Sequence, residues 1–106
     1  MVQTKNKSID FAKKFKKNIN NSINIDKLIL FGSRAKGTFK EDSDFDFILV
    51  SDDFKKVPRH KRAIPLYNKW NYMYPADFLC YTREEYLKKK NSATIVREAE
   101  EEGIVI

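Results

Sequence analysis

Between residues 4 and 20, Ile9, Ala12, Phe15 (or Lys16) and Ile19 recur at helical spacing with lysines between them. This pattern predicts an amphipathic helix, closed by Asn20, Asn21 and Ser22. The period then changes. Lys27 to Phe31 (KLILF) is a short apolar run ending at Gly32, which predicts a buried strand. Ser33 to Lys36 predicts one helical turn, stopped by Gly37. Asp44 to Val50 (DFDFILV) starts polar on one face and ends apolar throughout, as a second strand. Residues 52–58 read as a loop. Arg59 to Trp70 reads as helical, interrupted or kinked at Pro65. Pro75 precedes a third strand, Ala76 to Tyr81. Thr82 and Glu85 form a capping box for a helix through Lys90. Ser92 caps a last helix through Glu101, and Gly103 ends it before the apolar tail Ile104-Val105-Ile106.

The expected order is α, β, β, α, β, α, α. A short connection joins the first two strands and permits antiparallel pairing. About 25 residues with a helix separate the second from the third, which suits a parallel crossover. The expected fold is α/β (α+β), a mixed three- or four-stranded sheet with helices packed against it. In that topology the end of strand one and the beginnings of strands two and three share one sheet edge. Chain order alone then brings Gly32, Ser33, Asp44, Asp46 and Asp77 together.

Composition sets bounds on this picture. A chain of 106 residues fits one domain, residues 1–106, and 42% hydrophobic content with eight Phe and five Tyr can fill its core. The single cysteine, Cys80, excludes an internal disulfide and a cysteine-based zinc site, and reads as a small buried hydrophobe. No apolar run approaches the ~20 residues of a membrane span. The N-terminal stretch lacks a signal-peptide core. The expectation is a cytoplasmic protein without membrane contact. The net charge of +6 attracts phosphate-rich partners, but most lysines are dispersed as a solvated helix face does it.

The chemistry lies at the shared edge. Side chains two apart on a strand point to one face, so Asp44 and Asp46 present adjacent carboxylates. Such a pair calls for a cation. Mg²⁺ is expected, because it takes hard oxygen ligands and keeps positions for water and phosphate. Asp77 would complete a clamp for two metal ions, or serve as base for an attacking hydroxyl. Gly32 lets backbone approach an anion, and Ser33 offers a hydroxyl and an N–H at a helix start. Arg34 and Lys36 are expected to add charge beside it. A triphosphate held there would expose its α-phosphorus to attack, with pyrophosphate leaving.

Blander readings compete. Gly-Ser is an ordinary turn, and Asp-x-Asp an ordinary solvated face. Asp42, Asp44 and Asp46 also resemble the start of a calcium loop. That reading fails at Phe47, where the loop needs glycine, and at the apolar strand beyond. His60 in the basic run Pro58 to Arg62 reads as a surface residue, with a lining of the triphosphate channel as the run's alternative role. Trp70, Tyr72 and Tyr74 read as core or rim aromatics rather than a stacking shelf. The tyrosines are also conceivable self-acceptors, although nothing local in the sequence favours it.

The segment LFGSRAKGTFKEDSDFDFILV, about a fifth of the chain, resembles the signature of the DNA polymerase β-like nucleotidyltransferases. Gly-Ser, ten residues and Asp-x-Asp stand in the family's order, with its Gly-Ser-Arg-Ala-basic-Gly opening intact. Lys36 stands where many relatives have Arg, and Phe47 where an aliphatic is common. The length and the ending REAEEEGIVI are similar to the minimal nucleotidyltransferase branch. The resemblance implies that Gly32 and Ser33 bind ATP and that Asp44, Asp46 and Asp77 bind Mg²⁺. Many members of that branch are antitoxins paired with a helical HEPN toxin, a ribonuclease. They move AMP from ATP onto a toxin tyrosine. The resemblance therefore implies a HEPN-type toxin as partner. The alternatives are transfer to a small molecule or an RNA end, a module that neutralises its toxin by contact alone, and a basic nucleic-acid-binding domain, the less favoured partner class.

Overall fold

The computed structural model describes residues 5–37, 43–92 and 94–106. Helix α1 (Lys5–Ile19) buries Ala12, Phe15 and Ile19 and leaves Lys7, Lys13, Lys14 and Lys17 exposed, as its period requires. Strand β1 (Lys27–Phe31) leads through α2 (Ser33–Lys36) to β2 (Phe45–Val50). A crossover carries α3 (Arg59–Arg62) and α4 (Ile64–Lys69) to β3 (Ala76–Tyr81). Helices α5 (Arg83–Ser92) and α6 (Thr94–Glu102) follow, and β4 (Ile104–Val105) ends the chain's regular structure.

The sheet order is β3-β2-β1-β4. β1 pairs antiparallel with β2 and with β4, and β2 pairs parallel with β3. The expected antiparallel and crossover connections are both present. One sheet face carries Leu28, Leu30, Phe45, Phe47, Leu49 and Phe78 against α1 and α4. Aromatic rings dominate there. Phe15, Phe47 and Phe78 lie at centroid distances of 5.3–5.8 Å, and Trp70 packs 5.0 Å from Phe45. Trp70, Tyr72 and Tyr74 are thus core and rim aromatics, as read from the sequence. The other face sets Ile29, Ile48 and Val50 against Tyr86, Val96 and Ala99 of α5 and α6.

Four local expectations need correction. The 52–58 segment holds a 3₁₀ turn, Asp52–Lys56, because the Ser51 hydroxyl accepts a bond from the Asp53 N–H. The helical break in 59–70 falls at Ala63, between α3 and α4; Pro65 sits in the first turn of α4, where its missing N–H costs nothing. Ser92 belongs to the end of α5 and donates to the Lys88 carbonyl instead of capping the last helix. The apolar tail is a strand. Gly103 makes it possible: a Cβ there would lie 2.4 Å from the Ala99 carbonyl and 2.5 Å from Ile29. The Thr82–Glu85 capping box is present, with Thr82 N–H donating to Glu85 at 2.8 Å and Glu85 N–H to Thr82 Oγ1 at 3.2 Å.

Candidate active site

β1 leaves the sheet at Phe31, and the chain turns through Gly32 with φ 75° and ψ −156°, a region open essentially to glycine alone. Space imposes the same choice. A Cβ on Gly32 would stand 2.6 Å from Asp46 Oδ2. The Gly-Ser turn and the Asp-x-Asp strand are therefore packed directly on each other. The Gly32 carbonyl accepts from the N–H groups of Ala35 and Lys36, which winds α2. Ser33 is half-buried at its start. With a single turn behind it, Ser33 offers donors rather than a long helix dipole.

Register fixes the carboxylates. Asp46 faces Phe31 across β1 and lies directly beside Asp77 on β3. Asp44 precedes β2, two residues before Asp46, so alternation turns both to one face. Asp44 and Asp77 are exposed and Asp46 is half-buried. Burial pushes the Asp46 carboxyl up to about 6, and the negative charges of Asp77 and Asp44 push the same way. Among the described residues, no three His, Cys, Asp or Glu side chains converge closely enough to enclose an ion. The aspartates share a face and a field. Their chemistry fits a hard divalent cation: adjacent carboxylate oxygens, one of them held up first by burial and then by its charged neighbours.

The two basic residues of the signature point elsewhere. Arg34, expected beside the phosphate, is fully buried. Its Nε and Nη2 donate to the Ser43 carbonyl at 3.1 and 2.8 Å, and its guanidinium lies 4.3 Å from the Phe45 ring and 4.8 Å from Tyr74. It holds the start of β2 in place and is not among the residues that border the Asp46 cleft. Lys36 is exposed and pairs with Glu98 at 3.2 Å and Glu102 at 3.1 Å, which raise its pKa and compete for its charge.

The run Pro58 to Arg62 lies at the far end of the sheet. Arg62 is buried there and donates to the Val57 and Cys80 carbonyls and to Glu85 at 2.6 Å. This cluster ties α3 to the end of β3 and does not line the site. His60 is exposed, as expected. Cys80 is partly buried, and burial pushes its thiol up to about 12.

A cleft of about 290 Å³ opens at Asp46 and Asp77, bounded also by Phe31, Leu79, Ile95 and Tyr67. Tyr67 is the residue that sequence reasoning missed. A crossover helix returns its C-terminal end to the start of the next strand, and that geometry was the available signal. The Tyr67 ring meets Phe78 edge-on at 5.0 Å, and Tyr67 lines the cleft together with Asp77. Burial raises its pKa first, and the Asp77 charge adds to the rise. A second cavity, about 270 Å³, lies between α1, the 3₁₀ turn and α4 and is walled by Ile19, Phe54, Val57 and Leu66. It is predominantly apolar and remote from the carboxylates, so the cleft at Asp46 is the candidate site.

Comparison with known proteins agrees with this geometry. Residues 9–106 match the model of the nucleotidyltransferase domain family. One relative, "Putative protein adenylyltransferase MJ0141" of Methanocaldococcus jannaschii, is 29% identical over 68 residues, spanning 62% of this chain and 69% of that protein. The crystal structure of a "putative nucleotidyltransferase" from Sulfolobus solfataricus superposes with a TM-score of 0.66 at 18% identity, covering 95% of this chain and 80% of that one. That likeness is one of fold, the polymerase β-like arrangement of a mixed sheet with helices. Among the described residues, no helix is long and apolar enough to cross a membrane. With the family model spanning nearly its whole length, the chain belongs to the nucleotidyltransferase domain family.

Proposed function

We propose that this chain is a Mg²⁺-dependent protein adenylyltransferase of the cytoplasm that moves AMP from ATP to a tyrosine hydroxyl of a HEPN-type toxin and so acts as its antitoxin. The observation that carries the reading is the contact between the two halves of the signature. Gly32 has no side chain where Asp46 Oδ2 lies, and Asp46 is register-paired with Asp77. The name of the Methanocaldococcus relative supports a protein acceptor, and the family resemblance supports the toxin.

Asp44, Asp46 and Asp77 would hold the metal. Magnesium, when bound, neutralises phosphate charge and makes an acceptor hydroxyl more acidic. The chain's own residues do the rest. The Gly32 backbone and the Ser33 hydroxyl and N–H bind the triphosphate, with Lys36 at the rim once released from Glu98 and Glu102. In its alternative role, off the metal, the carboxylate of Asp77 receives the acceptor's proton. Phe31, Leu79 and Ile95 give the cleft an apolar wall beside the carboxylates.

Transfer of label from α-labelled ATP to the partner is the test. Asp44→Asn and Asp46→Asn should each abolish it. Undiminished transfer in both variants would overturn the reading, and full toxin suppression by both would favour neutralisation by contact.

A further inference from the structure

The acceptor class proposed above is a tyrosine hydroxyl, and the chain holds one of its own at the site. Of its five tyrosines, only Tyr67 borders the cleft that contains Asp46 and Asp77. Tyr72 and Tyr74 pack in the aromatic layer under α1, each against Phe11. Tyr81 ends β3 at the opposite end of the strand from Asp77, and the Tyr86 hydroxyl donates to Glu100. Tyr67 is also 48% exposed. Tyr67 and Asp77, the carboxylate that the proposed mechanism uses as proton acceptor, line the same cleft.

We infer that Tyr67 is a self-acceptor: without a partner in place, the enzyme transfers a nucleotide from a nucleoside triphosphate to its own Tyr67. The inference rests on the nucleotidyltransferase reading. In this step the Tyr67 oxygen bonds to the α-phosphorus while the α–β phosphoanhydride breaks. Pyrophosphate leaves, and the phenol proton passes to the Asp77 carboxylate and then to water. The product is a phosphodiester on α4. It fills the cleft with the transferred nucleotide, so the modified chain is closed to further acceptors. A partner that docks its own tyrosine there displaces Tyr67 and prevents the reaction. Self-modification thus marks enzyme that has no partner.

The purified full-length chain, incubated alone with magnesium and each α-labelled nucleoside triphosphate, tests this. Covalent label on the denatured chain is followed, and the labelled peptide is mapped. Label should map to Tyr67, persist in Tyr81→Phe, and fall in Tyr67→Phe to the level of Asp46→Asn. Label retained in Tyr67→Phe, or mapped elsewhere, overturns the inference. So does an unlabelled chain whose same preparation labels a separate protein acceptor, an outcome that leaves the nucleotidyltransferase reading standing. A chain that labels neither itself nor any acceptor, and releases no pyrophosphate, removes both.

Discussion

Strand β3 carries a charge cluster at each end, and the two are built on opposite rules. At its start, Asp77 stands beside Asp46 with Asp44 nearby, and burial and like charge drive Asp46 up to about 6. At its finish, the Cys80 carbonyl and Glu85 share the guanidinium of Arg62, and Glu85 is driven down to about 2, chiefly by the hydrogen bond from Arg62. The Thr82 N–H closes the same network. The second cluster is complete within the chain. The first is not: it sets like charges side by side, the arrangement in which perturbed carboxylates mark candidate sites. Both are groups of charged residues on one strand, and partnering alone separates scaffold from chemistry.

Four substitutions sharpen that contrast, the largest effect first. Gly32→Ala forces a Cβ against Asp46 Oδ2 in a backbone region closed to alanine. The displacement should lower transfer by about 100-fold or more. It should also cost about 1–3 kcal/mol in urea unfolding. Arg62→Ala breaks the closed cluster and should cost about 3 kcal/mol by the same measurement, because it strands Glu85 and two carbonyls. Transfer measured below the unfolding transition should survive it.

Glu85→Gln probes the same cluster through pH. The folded value of about 2 lies below the ordinary 4.5, so the stabilisation is present above pH 4.5 and is lost as pH falls toward 2. The variant should be about 2 kcal/mol less stable at neutral pH and should lack that acid-dependent loss. Asp46→Asn should do the reverse. The folded value near 6 lies above 3.8, so wild-type stability is greatest below 3.8 and declines as pH rises through 6. In chelator at neutral pH the variant should be more stable than wild type by about 1 kcal/mol, while losing transfer. Magnesium should raise the melting temperature of wild type and not of Asp46→Asn. A destabilised Asp46→Asn would break the contrast between the two ends.

Much of this was legible in the chain. β1 and β3 were delimited to the residue, because Gly32 and Pro75 punctuate runs of strand length. The placement of Asp77 beside Asp46 followed from strand order and direction, which the two connection lengths imply. Other features depend on distant partners and left no local mark. Arg34 looked like a solvent-facing charge; its socket comes from the rings of Phe45 and Tyr74 and the Ser43 carbonyl. The tail Ile104–Val105 is too short to announce a strand, and only the edge of β1 makes it one. Tyr67 meets Asp77 through the return of the crossover, not through spacing.

The socket of Arg34 bears on how such signatures are inherited. Gly32 and Ser33 face the site, while the next residue is spent wholly on the scaffold. A lysine could not substitute for a planar guanidinium that stacks on two rings and donates twice to one carbonyl. Selection on folding alone would therefore preserve this arginine. A descendant that lost Asp44 and Asp46, and with them the chemistry, would still carry Gly-x-Arg at the head of the motif.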